Sequence, residues 1–148
     1  MTDHLLADIA SELRRFVALL AEEKSALIAG DAQRLPALSA EKSALAERLG
    51  ALDHQRGLRL RTQGFDNDKP GIAAWLSVQP PANAALWREI LRLATLARET
   101  NDLNGTLIGV QAQQTRQAVA TLLGELAATY DASGQQQPLT GGRPLGSA

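Results

Sequence analysis

The stretch EKSALIAGDAQRLPALSAEKSALA, Glu23 to Ala46, decides the fold. Two nearly identical hexapeptides, EKSALI from Glu23 and EKSALA from Glu41, flank a run of break signals, GDAQRLP. Gly30 suits a helix stop, Asp31 an N-cap and Pro36 the start of a following helix. Upstream, Leu6, Ile9, Leu13, Phe16, Leu20, Glu23 and Leu27 recur in alternating steps of three and four, which predicts a packed helix from Asp3 to Ala29. Downstream, Leu38, Lys42, Leu45, Leu49, Leu52, Arg56 and Arg59 repeat the pattern between Leu35 and Gln63. Folding the chain at residues 30–35 pairs positions whose numbers sum to 65: Leu27 with Leu38, Leu20 with Leu45, Phe16 with Leu49, and Leu13 with Leu52. The same register sets Glu23 opposite Lys42 and Lys24 opposite Glu41. One register that satisfies apolar and charged positions together favours an antiparallel helical hairpin over the alternative, a long helix interrupted at residue 30. Exposed ion pairs are worth about 0–1 kcal/mol each, so they select the register more than they add stability.

Composition agrees with an all-α chain. Leu (25) and Ala (26) dominate the 148 residues, Ile and Val together number 9, and aromatics are 3%. Leu and Ala favour helix, whereas β-branched and aromatic residues favour strand. The net charge of −1 supplies no global basic field for nucleic acid or acidic lipid. Absence of cysteine removes disulfides, thiol catalysis and Cys-based metal sites. MTDHLLADIASELRR at the N-terminus lacks the basic-then-apolar order of a signal peptide, and no apolar run approaches the ~18 residues of a membrane span. The expectation is a cytoplasmic protein without membrane insertion.

Between Gly64 and Ala82 the periodicity dissolves among Gly64, Pro70, Gly71, Pro80 and Pro81. Ile72, Trp75 and Leu76 form one apolar patch there, which predicts a short helical turn holding the connection against the hairpin. Trp75 has two readings, a ligand-stacking ring or a packing ring, and burial is the commoner role of a large aromatic. From Asn83 no proline intervenes until Pro138. Leu86, Ile90, Leu93, Ala94 and Ala97 make a helical face, so the spacing predicts one long helix over 83–131. The Gly-, Gln- and Pro-rich end, 132–148, cannot bury enough apolar surface to order itself. The expected architecture is therefore a hairpin plus one long C-terminal helix, a three-helix coiled-coil-like bundle. Its helical domain covers 1–131, with hairpin 3–63, linker 64–82 and long helix 83–131, followed by a disordered tail.

Within the long helix lies ETNDLNGTLIG, Glu99 to Gly109. Asn-Gly is a strong hairpin signal between alternating apolar runs, but no strand-like alternation flanks it here. If the box is helical, Asn101 and Asn104 share one face near the seam, where a buried Asn costs stability but fixes register and partner. Gly105 and Gly109, one turn apart, would let another backbone approach, and each costs about 0.5–1 kcal/mol relative to Ala in a helix.

Trp87 followed by N-x-x-N-G-x-L-I, here Asn101, Asn104, Gly105, Leu107 and Ile108, resembles the FlgN family. So do Tyr130-Asp131 with Gly134 nearby, and the spacing Glu23, Leu27, Gly30-Asp31, Leu35, Leu38, Lys42, Leu45. The resemblance spans about residues 5 to 134; its heptads are unspecific and the asparagine box is the telling part. It implies a cytoplasmic flagellar export chaperone. Its implied partners are the hook-associated proteins FlgK and FlgL and components of the type III export gate.

Chemistry for an enzyme is missing from the pattern. His4 and His54 are the only histidines and have no metal spacing, the carboxylates are scattered along helices, and no phosphate loop or nucleophile motif occurs. The basic run Arg48, Arg56, Arg59 and Arg61 lacks the interleaved aromatics of a nucleic-acid surface. No cofactor is expected. Two function classes remain: an export chaperone that masks cargo, and a structural coiled-coil adaptor that oligomerises through its seams. Length arithmetic sharpens the first. Each hairpin arm is about 27 residues or roughly 40 Å, so a third helix running back along it reaches the turn near Gln111. Beyond that point Val119, Leu122, Leu123, Leu126 and Tyr130 form an apolar stripe suited to docking a partner helix. The alternative is that the linker returns the chain, or the helix bends, and the stripe is ordinary core. Tyr130, with apolar ring and polar hydroxyl, suits either cargo or the export gate.

Overall fold

The computed structural model describes residues 3–132, with side chains through Val110 and at residues 113, 114, 117 and 120 beyond it. The expected tail at 132–148 lies outside the described residues apart from Ala132, the last residue of the final helix. Four helices and no strand are present among the described residues: α1 (His4–Ala29), α2 (Leu35–Thr62), α3 (Lys69–Ser77) and α4 (Pro81–Ala132). The chain divides into two compact units, Met1–Leu107 and Ile108–Ala148. In the second unit the described backbone, 108–132, is helical.

Local chemistry sets each boundary. Asp3 caps α1 by accepting from the Leu5 and Leu6 amides at 2.8 and 3.2 Å. Gly30 ends the helix in the left-handed conformation at φ 70°. Its N–H reaches the Leu27 carbonyl at 3.3 Å and the Asp31 N–H reaches the Ala26 carbonyl at 2.9 Å, a Schellman termination. Asp31 suits an N-cap in sequence, but α2 starts only at Leu35, and Arg34 stands at its N-cap position. The chain takes one further turn, and Arg34 makes no side-chain cap; Pro36 in the first turn presets the backbone. A second Schellman pair closes α2, with the Phe65 N–H on the Leu60 carbonyl at 3.0 Å and Gly64 at φ 86°.

The expected linker, 64–82, contains a real helix, which corrects the count of three to four. Asp68 caps α3 through the Gly71 amide at 2.7 Å. A Cβ at Gly71 would overlap the Asp66 carbonyl, so only glycine fits this entry turn. Trp75 is buried, and its indole Nε1 donates to Gln63 Oε1 at 2.6 Å. The ring packs and is not free to stack on a ligand.

α1 and α2 form the closest helix pair. They run antiparallel: Glu23 meets Lys42 at 3.2 Å, Glu12 meets Arg48 at 3.2 Å and Asp3 meets Arg59 at 2.9 Å. The Glu23–Lys42 pair is the one the sum of 65 selects; Lys24 and Glu41 are exposed and make no ion pair among the described residues. α4 lies parallel to α1, since Asn83 meets Asp3, Glu89 meets Arg14 and Asn104 meets Glu23. One core cluster joins Leu6, Ile9, Leu13, Leu60, Trp75 and Ile90; another, nearer the turn, joins Leu19, Ala26, Leu38 and Leu45. Ala94, placed on the helical face by its spacing, is exposed, while Leu93 and Ala97 are buried.

Leu20 is fully enclosed, at 0% exposure, whereas Ile28 on the same helix is 67% exposed. Leu20→Ala should therefore lower unfolding stability by about 2–5 kcal/mol. Ile28→Ala should stay within about 0.5 kcal/mol. Urea denaturation of the two variants measures the contrast, and equal losses would contradict this core.

Candidate functional site

Two buried carboxylates on α1 organise the polar chemistry of the first unit. Near the turn, Glu23 is 4% exposed and accepts from Lys42 Nζ at 3.2 and 3.3 Å, and from Asn104 Nδ2 at 2.9 Å. The same amide group donates to the Leu20 carbonyl at 3.0 Å. Lys42 also donates to Asn101 Oδ1 at 3.0 Å, which brings α2 and α4 together at this level. At the other end, Asp3 accepts from Arg59 Nη1 at 2.9 Å, and its backbone N–H donates to Asn83 Oδ1 at 2.8 Å. Each layer thus holds an acid of α1, a cation of α2 and an asparagine of α4.

Sequence reasoning found Glu23, Lys42, Asn101 and Asn104 but missed Asp3, Asn83 and the role of Arg59. The signal was available: Asn83, Ile90, Ala97 and Asn104 fall at steps of seven, one heptad position that starts and ends with Asn. Asn83 and Asn104 are each 1% exposed. Among the described residues, Asn104 Oδ1 has no hydrogen-bond partner. Flipping the amide would aim its oxygen at two acceptors, so the orientation is fixed by the network. A half-satisfied buried amide costs stability, as a seam asparagine that specifies register does.

Gly105 and Gly109 were expected to admit a close backbone. A Cβ at either would meet no atom within 4 Å, so among the described residues nothing packs there. Val119, Leu122, Leu123, Leu126 and Tyr130 lie on helical backbone in the second unit, and their side chains are outside the described residues. Ile108 and Val110, at the start of that unit, are each 49% exposed. No group of three or more His, Cys, Asp or Glu among the described residues is placed to hold a metal ion. No helix among them is long and apolar enough to cross a membrane.

These features define a small all-helical protein of the heptad-packed class, in which polar layers set how three helices register. A family model described as FlgN protein matches residues 3–138, and the chain belongs to the FlgN family, the flagellar export chaperones. No curated protein and no solved structure matches the chain.

Lys42→Met would strand the Glu23 carboxylate with one amide donor. It should cost about 3 kcal/mol, and adding Glu23→Gln should recover most of that loss. Urea unfolding of the two single variants and the double variant tests the coupling; additive losses would contradict it. Gly105→Ala, with open space around its Cβ, should raise stability by about 0.5–1 kcal/mol. A lower melting temperature for that variant would reveal a packing role for the glycine.

Proposed function

We propose that this protein is a cytoplasmic, non-catalytic chaperone that binds the hook-associated proteins FlgK and FlgL and delivers them to the type III export gate. Residues 1–131 act as its chaperone domain, and the stripe Val119, Leu122, Leu123, Leu126 and Tyr130 receives the cargo. Family membership supports the class of function.

Helix lengths support the surface: α1 and α2 have 26 and 28 residues, whereas α4 has 52, so its apolar series outruns either arm. The seam that faces the hairpin runs through Asn83, Leu86, Ile90, Leu93, Ala97, Asn104 and the half-buried Leu107. In the sequence, the heptad positions that would continue it carry Gln111, Gln114, Ala118, Thr121 and Glu125. The apolar series instead resumes one position over, through Ile108, Ala112, Val119, Leu122 and Leu126. A straight helix lags a strict heptad by about 20° per repeat, so five repeats after Asn83 a step of one residue returns the apolar series to about the same side of α4. An amphipathic helix with an unclaimed stripe fits a groove-and-helix mode of recognition, in which apolar anchors three and four apart carry the contact.

Leu122→Ala combined with Leu126→Ala tests the assignment. Melting should barely change, while co-purification with FlgK or FlgL from the same bacterium should fall at least tenfold on gel filtration. Unaltered cargo binding, or a large loss of stability with binding intact per folded molecule, would return the stripe to the core. Tight self-association of the wild-type chain without cargo would favour the structural adaptor.

A further inference from the structure

α2 and α4 stand apart along most of the first unit. Long side chains reach across at each end: Lys42 to Asn101 at 3.0 Å, and the Arg56 guanidinium over the Trp87 ring at 5.0 Å. Between and beside these bridges the surface opens into two hollows. One, of about 690 Å³, lies among α2, α3 and α4; the other, of about 390 Å³, has Leu13 and Phe16 of α1 on its lining. Both volumes fall in the range of true binding clefts, about 300–1,000 Å³. Trp87 and Leu91 border the first, Ala94 and Arg98 the second. Those four positions follow steps of four, three and four, so both hollows open on one face of α4 and make a furrow roughly 17 Å long.

The lining is apolar and firm. Ile72 and Leu76 of α3 and Leu49 of α2 contribute to it, and Leu91 is 51% exposed. Arg56 is held by Asp53 at 2.8 Å and Asn67 at 3.1 Å, which fixes the guanidinium over the indole. The charges are lopsided. Asp68, which accepts from the Gly71 amide, is the one carboxylate on the lining of the two hollows. Lys69, in the first hollow, and Arg98, in the second, are exposed and make no ion pair among the described residues. Of the four charged residues that line the two hollows, three are cations, Arg56 and Lys69 in the first and Arg98 in the second, so the furrow is positive on balance.

From this complementarity we infer that the furrow is a second docking surface, whose occupant is an amphipathic helix of a partner protein with carboxylates flanking its apolar stripe. Such a helix lies between α2 and α4 over the exposed part of α1, completing a four-helix arrangement. Its carboxylates meet Lys69 and Arg98, which discriminate partners more than they bind them. A bilayer does not enter a concave furrow walled by helices; of the two aromatic rings on its lining, Phe16 belongs to α1 and Trp87 has a face already covered by Arg56. The surface is independent of the C-terminal stripe and does not rest on the cargo assignment.

A labelled 21-residue peptide with Leu at heptad positions a and d and Glu at e and g is the probe; its like charges keep it from pairing with itself. Titrated with the full chain, it should bind at least tenfold tighter than the same peptide with Lys at e and g. Lys69→Glu with Arg98→Glu should reverse that preference. Ala94→Trp, at an exposed position, should fill the furrow and abolish binding while circular dichroism stays unchanged. Leu122→Ala with Leu126→Ala should leave peptide binding intact, whatever it does to FlgK or FlgL. Failure of both peptides to bind, equal affinity for both, or binding that survives Ala94→Trp overturns the proposal. Tighter binding of a peptide of this chain's own residues 110–132 also overturns it, in favour of a second copy or the chain itself as occupant.

Discussion

A carboxylate taken out of water at each end of α1 is the constraint on which the first unit depends. Leucine seams tolerate sliding, because one heptad of Leu and Ala packs about as well as the next. A buried acid does not. Moving α2 or α4 past α1 by one turn would leave Glu23 without Lys42 and Asn104, and Asp3 without Arg59 and Asn83. Stranding a buried charge costs several kcal/mol, more than a surface pair contributes. The two layers are about 20 residues apart on α1, roughly 30 Å, so a helix that satisfies one and tilts cannot satisfy the other. Position, direction and register of three helices follow from two acids.

Periodicity made the hairpin legible because each seam residue on α1 is a Leu, an Ile, a Phe or the paired Glu23, and most of them are buried. On α2 the same rule ran slightly off. It placed Arg59 on the seam, but Leu60 is buried and Arg59 is exposed. The reason is geometric: a straight helix lags a strict heptad by about 20° per repeat. Three repeats after Leu38, position 59 has fallen roughly 60° behind and position 60 lies nearer the centre. The guanidinium still serves, because its length brings it back to Asp3. α3 was legible only as a turn; the close approach of Gly71 to the Asp66 carbonyl and the Asp68 cap are tertiary and local facts that an apolar count does not contain.

Of the polar layers, half was legible. Glu23 and Lys42 stand out as charges on apolar seams, and Asn104 as an amide on a third. Asp3 and Asn83 did not, because each stands beside a helix start, where Asp and Asn are ordinary capping residues and attract no further explanation. Gly105 and Gly109 invite a close crossing in sequence, yet space around them is open. Both lower helix propensity beside the boundary between the two compact units at Leu107 and Ile108.

The asparagine whose oxygen goes unpaired bears on which face α4 turns to the hairpin. A seam of Leu and Ala alone would let α4 rotate by one residue. That rotation carries Asn104 off the Leu20 carbonyl and Glu23, and Asn83 off the Asp3 amide. Two buried hydrogen-bonded asparagines at one heptad position penalise the wrong face of α4 at both ends of the first unit, where Leu or Ala at 83 and 104 would accept either face. The unpaired Oδ1 of Asn104 is then the stability given up for that choice.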